Sequence, residues 1–202
     1  VRRQSQHFDE YRACLDRLIK ADLVYPAFLS RGETKALVRA FEAESNLWPR
    51  DPDGAPLYPD IDRQRPRAER EALLASGRPH AWRLDMEKAI RTTAIPLFWQ
   101  ESGDGETGLI EARPALWGDV VLSRSDAPSS YHLSVVVDDA LQGITHVVRG
   151  MDLFHATAIH RLPQQLLDLP QPAYHHHRLI LGTDGRKLSK SEGSTGLSAL
   201  RA

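Results

Sequence analysis

The spacing of apolar residues along the first half of the chain predicts helices separated by a long loop. Residues 6–22 place apolar side chains at helical spacing, which predicts an amphipathic helix. Ser30 and Glu33 have the spacing of a capping box, so a second helix is expected to begin there. Residues 49–66 contain five prolines and one glycine and are predicted to be mostly loop.

A further helix and a strand are predicted before the middle of the chain. Pro66 stands where a helix can begin, and Gly77 stands where it can end. Residues 80–86 then alternate between apolar and polar side chains, with Trp82 and Leu84 on one face. This alternation predicts a strand.

The second half changes to β-branched runs followed by helical spacing. Val135–Val137 and Ile144–Val148 are both runs of the kind that favours strands. Residues 152–169 have helical periodicity, although Pro163 costs about 3 kcal/mol in a helix interior or forces a kink. Residues 174–182 are a further strand-like run. A strand, a helix and a strand in this order predict an α/β layer with parallel strands.

Composition limits the class of protein. With 202 residues, 41% hydrophobic and 26% charged, the chain is expected to be one soluble globular domain, or one domain with an insertion. No apolar run approaches the roughly 20 residues of a membrane span, and no signal peptide is visible. A single cysteine, Cys14, suits a reducing cytosol. The net charge of −1 means that any surface for nucleic acid must be local.

Two lysines stand three residues apart in the glycine-bounded sequence GTDGRKLSKSEG near the end of the chain. Lys187 and Lys190 could move over a phosphate group, with Leu188 as an anchor and Ser189 and Ser191 as further donors. The spacing of a P-loop is absent. From these residues alone, a pyrophosphate site and a solvated turn with two surface lysines both remain open.

Several segments together resemble one family. The sequence KLSKS at 187–191 resembles the second signature motif of class I aminoacyl-tRNA synthetases. Residues 118–153, GDVVLSRSDAPSSYHLSVVVDDALQGITHVVRGMDL, resemble the glutamate-specific branch of that class. Within the branch, SSYHLSVVVDDALQG and GRKLSKSEGSTGLSALRA are similar to the glutamyl-queuosine tRNA(Asp) synthetases, which are truncated paralogues of glutamyl-tRNA synthetase without an anticodon-binding domain. The resemblance covers nearly all of the chain.

The resemblance implies an α/β fold: an incomplete class I synthetase Rossmann-type catalytic domain with an inserted α+β segment. Residues 1–24 would be a helix of the catalytic domain, and residues 25–115 the insertion at the position of the family's zinc-binding region. Residues 116–202 would be the second half of the Rossmann-type domain, ending in the KLSKS loop. The H-x-G-H type motif of class I enzymes is absent, and the chain begins at Val1. We therefore expect that a preceding segment is missing and that residues 1–202 by themselves are inactive or nearly so.

The resemblance also implies a reaction. Members activate L-glutamate with ATP, with Mg²⁺ as its counterion, and transfer it to queuosine in the anticodon of tRNA(Asp). By position, Tyr131 and Arg149 would hold glutamate and Lys190 would contact ATP. An arginine suits a carboxylate because it can bind it bidentately. Without the family, Tyr131 is a residue at the edge of the core and Arg149 a surface arginine at a strand end. We expect a cytoplasmic monomer that binds no membrane.

The zinc site of many family members is not expected in this chain. Its ligands are two cysteines in C-x-C, a tyrosine and a third cysteine four residues later. Here Ala27 and Leu29 replace the first two cysteines, Tyr58 is retained and Asp62 replaces the third. Two apolar side chains cannot bind zinc, and a tyrosine with a carboxylate is a poor structural site. We therefore expect no bound zinc.

Two other groups of polar residues are not assigned to metals. His175, His176 and His177 cannot converge on one ion, because neighbouring strand residues point to opposite faces, and a role at the entry of a strand is expected instead. Asp138 and Asp139 are interpreted as turn or cap residues at a strand end rather than as magnesium ligands.

Two alternative functions remain open. One is a catalytic piece of full glutamyl-tRNA synthetase, which a helical anticodon domain in the parent gene would favour. The other is a degenerate, non-catalytic protein that binds RNA or acts as a scaffold. The missing first motif and the lost zinc ligands favour the latter, whereas the intact KLSKS sequence, Tyr131 and Arg149 argue against it.

Overall fold

A computed structural model of the chain describes residues 3–182. The α-helices in this range are α1 Phe8–Lys20, α2 Arg31–Ala43, α3 Ile61–Gln64, α4 Arg67–Ala75, α5 Met86–Thr93, α6 Tyr131–Leu141 and α7 Thr157–Leu166. The strands are β1 Val24–Ala27, β2 Ala81–Leu84, β3 Phe98–Glu101, β4 Gly108–Glu111, β5 Val121–Arg124, β6 His146–Gly150 and β7 Ala173–His177. Short 3₁₀ turns cover Gln4–Gln6, Pro114–Trp117 and Met151–Leu153.

The helices predicted in the first half are confirmed. α1 lies within residues 6–22 and buries Tyr11 and Leu18 against the core. At the start of α2, the Ser30 side chain accepts a hydrogen bond from the Glu33 backbone N–H, and the Glu33 carboxylate accepts one from the Ser30 backbone N–H. This reciprocal arrangement pairs the otherwise unsatisfied donors of the first turn.

The loop, helix and strand that follow are also close to the prediction. Residues 49–66 are mostly irregular, and only the short helix α3 interrupts them. α4 runs between Pro66 and Ser76. The strand predicted over residues 80–86 is β2, but Met86 already belongs to α5, because the Asp85 carboxylate caps that helix by accepting from the Lys88 backbone N–H.

Two sheets form the framework. The first is antiparallel, with the strand order β1-β2-β5. The second has the order β4-β3-β7-β6, in which β3, β7 and β6 are parallel and β4 pairs antiparallel with β3. β6, α7 and β7 are the strand–helix–strand unit that the sequence predicts, and the pairing of β6 with β7 confirms parallel strands.

One face of the second sheet is buried and the other is exposed. Trp99 and Tyr174 point into the core, which also contains α5, α6 and α7. On the opposite face, Phe98 is 37% exposed, Leu109 68% and Val148 67%. Parallel strands usually have both faces covered. Here the core lies on one side of the sheet.

The prediction of a strand at Val135–Val137 is wrong. These residues belong to α6, which starts where the Ser130 hydroxyl accepts a hydrogen bond from the Leu133 backbone N–H. Packing of this helix against α1, α7 and β5 outweighs the β preference of the valines. Asp138 and Asp139 consequently lie inside a helix, not at a strand end, and Asp138 accepts a hydrogen bond from the Tyr11 hydroxyl.

The remaining predictions about the fold concern Pro163 and the domains. Pro163 lies inside α7, and the helix continues past it to Leu166. No helix among residues 3–182 is long and apolar enough to cross a membrane. The strands of residues 25–115 contribute to both sheets, and the proposed division into a helix, an insertion and a second catalytic half stays a prediction.

Candidate functional site

The candidate site lies at the carboxyl ends of the parallel strands β6 and β7. Arg149 and His176 are directly paired near the ends of these strands. Tyr131 is the first residue of α6, and Thr157 is the first residue of α7. In open α/β sheets, ligands commonly bind beyond the carboxyl ends of the strands, so this is the expected position for a binding site.

The Arg149 guanidinium is held by four hydrogen bonds. Its Nε donates to His176 Nε2 at 2.9 Å, and Nη1 donates to His160 Nδ1 at 3.0 Å. Its Nη2 donates to Thr157 Oγ1 at 2.7 Å and to the Leu153 carbonyl at 3.2 Å. These bonds fix the plane of the guanidinium, because its N–H groups form a rigid fork.

Glu101 supports this arrangement from β3. Its Oε2 lies 2.6 Å from His176 Nδ1, and its Oε1 accepts from the backbone N–H of His176 at 2.9 Å. The backbone N–H groups of Ser102 and Gly103 also donate to Oε1, and the Trp99 indole N–H donates to Oε2. Glu101 is only 1% exposed, so a fully bonded carboxylate anchors the ring of His176.

The loop after β3 is pressed against the same histidine. A Cβ added to Gly103 would lie 2.2 Å from the His176 carbonyl oxygen and 2.5 Å from its backbone nitrogen. No side chain fits at such distances, and a change there must move backbone rather than a flexible side-chain end. The close approach therefore requires glycine.

On the other side of Arg149, His160 connects the cluster to α6. His160 Nε2 lies 3.2 Å from His132 Nδ1. The Tyr131 ring packs edge-on against both imidazoles, with 5.7 Å between ring centroids in each case. His160 is 1% exposed, whereas Tyr131 is 48% exposed. A buried histidine thus joins the two residues that the resemblance assigns to glutamate.

The imidazoles around Arg149 are held neutral. Burial, followed by the Arg149 charge, lowers the pKa of His132 to about 4 and that of His160 well below its ordinary value. Burial also lowers the pKa of His176, although its hydrogen bond to Glu101 opposes this. For Glu101, burial raises the pKa, but hydrogen bonds from His176 and its neighbours outweigh burial and the pKa is lowered. The cluster near neutral pH therefore contains one cation and one well-bonded carboxylate.

Arg149 is consequently a cation that lacks a direct anionic partner among the residues that the structure describes. Arg149 is partly buried and forms no ion pair with a carboxylate of residues 3–182. Its four described bonds use four of its five N–H groups, so an incoming carboxylate can take one bond from Nη1. A second bond to the carboxylate would come from Nη2, and it can form only if Nη2 breaks its hydrogen bond to Thr157 or to Leu153. The site can bind an anion, but bidentate binding needs a local rearrangement.

A cavity of about 450 Å³ opens beside Tyr131. Its walls include Tyr131, His132, Arg83 and Asp119, and Arg149 is not among the described residues that line it. The two residues assigned to glutamate therefore share His160 rather than one continuous cavity wall.

The sequence-predicted residues are brought together only in part. Tyr131 and Arg149 both contact His160. The KLSKS loop lies outside the described residues, and with it Lys187, Leu188, Ser189, Lys190 and Ser191.

Sequence reasoning missed His160, Glu101 and the role of His176. His175–His177 are not at the entry of a strand, as predicted, but are the last three residues of β7. As expected, the three side chains alternate between the two faces of the sheet, since only His176 is fully buried. The available signal for His176 was its polar side chain on the inward face of a strand. A polar side chain is usually buried only when it is hydrogen-bonded, so a bonding partner could have been expected there.

The positions of the family's zinc ligands also meet in space. Asp62 Oδ2 accepts from the backbone N–H groups of Phe28 and Leu29, at 2.7 and 3.2 Å, and from the Tyr58 hydroxyl. Asp62 Oδ1 accepts from Arg65 Nε at 2.7 Å. Asp62 is 0% exposed. Its carboxylate therefore holds together the strand end and the loop at the positions that the resemblance assigns to the family's zinc ligands.

These residues do not fit a zinc ion. Ala27 and Leu29 present no side-chain ligand, and both oxygens of Asp62 are already occupied by hydrogen bonds. Within residues 3–182, no group of three or more histidine, cysteine, aspartate or glutamate side chains could hold a metal ion. That the protein binds no zinc stays a prediction.

Comparison with known proteins gives the chain's relationships. The model of the class I tRNA synthetase (E and Q) catalytic domain matches residues 1–199. A glutamyl-Q tRNA(Asp) synthetase of Rhodobacter capsulatus is 43% identical over all of this chain and 70% of its own length. One of Geobacter sulfurreducens is 36% identical over all of this chain and 57% of its own length. A glutamate–tRNA ligase of Prochlorococcus marinus is 34% identical over 98% of this chain and 40% of its own length.

Solved structures agree with these relationships. A glutamate tRNA ligase from Elizabethkingia meningosepticum, crystallised in complex with its amino acid, has a TM-score of 0.72 and 26% identity over 95% of this chain and 36% of that chain. The glutamate-tRNA synthetase of Elizabethkingia anophelis has a TM-score of 0.71 at the same identity. The predicted resemblance and the α/β fold of a partial class I catalytic domain are confirmed. The chain belongs to the family of class I tRNA synthetases for glutamate and glutamine, and it matches the catalytic domain of that family.

Proposed function

We propose that this chain is part of a ligase that activates L-glutamate with ATP and transfers it to queuosine in the anticodon of tRNA(Asp). The relatives from Rhodobacter capsulatus and Geobacter sulfurreducens, which bear the name glutamyl-Q tRNA(Asp) synthetase, support this assignment. Tyr131 and Arg149 are the proposed glutamate-binding residues. The protein is proposed to act in the cytoplasm as a monomer.

The observation that carries the proposal is the unpaired charge of Arg149. Among the residues that the structure describes, its guanidinium is bonded only to neutral imidazoles, a hydroxyl and a carbonyl. A partly buried cation without a carboxylate partner is costly unless an anion binds there. A glutamate carboxylate supplies that anion, and the half-exposed Tyr131 hydroxyl can orient the amino acid.

ATP is proposed to bind the KLSKS loop, with Mg²⁺ as its counterion. This part rests on the resemblance of residues 187–191 to the class I motif. Positive charge from Lys190, assisted by Lys187, would stabilise the charge that develops on the α-phosphate and on the leaving pyrophosphate. Because no H-x-G-H type sequence is present, residues 1–202 by themselves are expected to bind nucleotide weakly and to form little adenylate.

The test is glutamate-dependent ATP–pyrophosphate exchange by the full gene product. Losing one partner of a desolvated charge pair costs about 2–5 kcal/mol, so Arg149→Ala should reduce glutamate activation by roughly 30-fold or more while the KM for ATP changes little. Arg113→Ala is the control, since Arg113 is exposed and, within the described part of the chain, is paired only with Glu111. An exchange rate for Arg149→Ala within a few-fold of wild type would count against the assignment.

Acceptor choice separates the proposal from its alternatives. The proposed enzyme should transfer glutamate to tRNA(Asp) that carries queuosine and not to tRNA(Glu). Transfer to tRNA(Glu) would instead indicate a glutamate–tRNA ligase, the name of the Prochlorococcus marinus relative. Binding of tRNA without any exchange activity in the full gene product would indicate a non-catalytic protein.

A further inference from the structure

We propose that His160 is a positioning residue that aims the Arg149 guanidinium at the glutamate carboxylate and connects Arg149 to Tyr131. This inference rests on the proposed function for its substrate, whereas the orientation of Arg149 can be tested without activity. His160 is not part of the family motifs that the sequence shows. It is identified by its place between the two residues assigned to glutamate.

The hydrogen bonds determine which nitrogen of His160 carries the proton. An arginine N–H can only donate, so His160 Nδ1, 3.0 Å from Arg149 Nη1, must be an acceptor. A neutral His160 then carries its proton on Nε2 and donates it to His132 Nδ1 at 3.2 Å. By the same logic, Arg149 Nε donates to His176 Nε2, and His176 Nδ1–H donates to Glu101. One continuous set of bonds thus runs from α6 through Arg149 to β3.

The surroundings keep His160 in this state. Its side chain is 1% exposed and faces the charge of Arg149 from β6, His132 and Tyr131 from α6, and the neutral His176 from β7. Protonation would place a second cation against Arg149, and no carboxylate of residues 3–182 is hydrogen-bonded to His160. A rotated ring would present a C–H group to Nη1 and leave that donor unsatisfied, which is unfavourable in a buried site.

Among the partners of Arg149, His160 is the one with a described hydrogen bond and ring contact to α6, through His132 and Tyr131. Thr157 at the start of α7 and the Leu153 carbonyl in the preceding 3₁₀ turn fix Nη2, and His176 fixes Nε from β7. His160 fixes Nη1, the atom that retains a free N–H for a carboxylate, and its ring packs against Tyr131. Removal of His160 should therefore weaken the use of glutamate more than the binding of ATP.

The experiment compares two substitutions of His160 in the full gene product. His160→Gln keeps one acceptor for Arg149 and one donor for His132, whereas His160→Leu removes both at similar volume. For His160→Leu, kcat/KM for glutamate should fall about ten-fold or more, because a hydrogen bond to a charged group is lost, while the KM for ATP stays within about three-fold. His160→Gln should restore kcat/KM for glutamate to within about three-fold of wild type. His155→Gln, at an exposed position, is the matched control and should change neither constant.

Nitrogen NMR of the histidine and arginine side chains tests the positions of the protons independently of enzyme activity. In the wild type at pH 7, His160 should be neutral with the proton on Nε2, and the signal of the Arg149 Nη1–H that donates to His160 should be protected from exchange. That protection should be lost in His160→Leu and regained in His160→Gln. A proton on His160 Nδ1 in the wild type would overturn the proposal even if His160→Leu fails to fold.

The kinetic outcomes are equally decisive. Wild-type kcat/KM for glutamate in a folded His160→Leu protein would overturn the proposal, and so would an equal loss in His160→Gln and His160→Leu. If the wild type shows no glutamate-dependent exchange at all, the proposed function fails. The positioning of Arg149 by His160 is then decided by the NMR measurements.

Discussion

Replacement of the Asp62 carboxylate by an amide tests whether this residue takes the structural place of a metal. Asp62 accepts hydrogen bonds from the backbone N–H groups of Phe28 and Leu29, from the Tyr58 hydroxyl and from Arg65 Nε. In Asp62→Asn, one of the two oxygens becomes an NH₂ group. Whichever way the amide is turned, this NH₂ faces at least one donor that it cannot satisfy.

The expected loss of stability follows from that mismatch. A buried donor without a partner costs about 1–3 kcal/mol, and the loss of a buried, charge-assisted network costs more. We expect the free energy of unfolding to fall by about 2–4 kcal/mol. For a domain of this size this lowers the Tm by roughly 4–16 °C. Asp60→Asn is the control, because Asp60 is exposed two residues away and its substitution should stay within about 0.5 kcal/mol.

The pH dependence identifies the charge as the cause. Burial raises the pKa of Asp62, but hydrogen bonds from Tyr58, Arg65, Phe28 and Leu29 outweigh burial, and the pKa is lowered overall. A lowered folded-state pKa means that the carboxylate stabilises the fold above its ordinary pKa of about 4, and that this stabilisation is lost as the pH falls through the lower value. The Tm difference between wild type and Asp62→Asn should be constant above about pH 5 and narrow below about pH 4.

Thermal unfolding followed by circular dichroism measures both effects. A Tm for Asp62→Asn within about 2 °C of wild type at pH 7 would refute the idea that Asp62 organises this region. A Tm difference that persists unchanged down to pH 3 would show that the charge of the carboxylate is not responsible.

Three further outcomes are expected. Elemental analysis of the dialysed protein should find no stoichiometric zinc, and about one zinc per chain would contradict the ligand argument at Ala27 and Leu29. Ser30→Ala removes one half of the capping box and should cost about 1 kcal/mol, which thermal unfolding would register as a fall of roughly 2–4 °C. Gly103→Ala should destabilise the protein by about 1–3 kcal/mol or more, because its Cβ would meet the His176 backbone, whereas Gly105→Ala meets only the flexible end of Met151 and should cost less. Equal melting temperatures for the two glycine variants would argue against a rigid contact at β7.

The sequence predicted the parts of the fold that depend on local signals. The capping box at Ser30 depends on neighbouring residues, and it formed as expected. The run Val135–Val137 was misassigned because β-branched residues also occur in buried helices, and only tertiary packing decides between the two.

The candidate site was predictable only through the family resemblance. Tyr131 and Arg149 were named from their positions in a motif, and no local pattern marks either of them. The cluster around Arg149 draws Glu101 from β3, His160 from α7 and His176 from β7, and these contacts join residues as many as 75 positions apart. A sequence without an alignment does not show which distant polar residues meet.

The exposed face of the second sheet affects how the protein can be handled. Phe98, Leu109 and Val148 leave apolar surface open to solvent, and β6 is the terminal strand of the described sheet. An open strand beside an apolar surface can pair with the same strand of another molecule, which leads to self-association. Residues 1–202 prepared alone should therefore elute at a volume that shifts with protein concentration. Each binding or kinetic measurement on that fragment then needs a dilution series before its result can be assigned to a single chain.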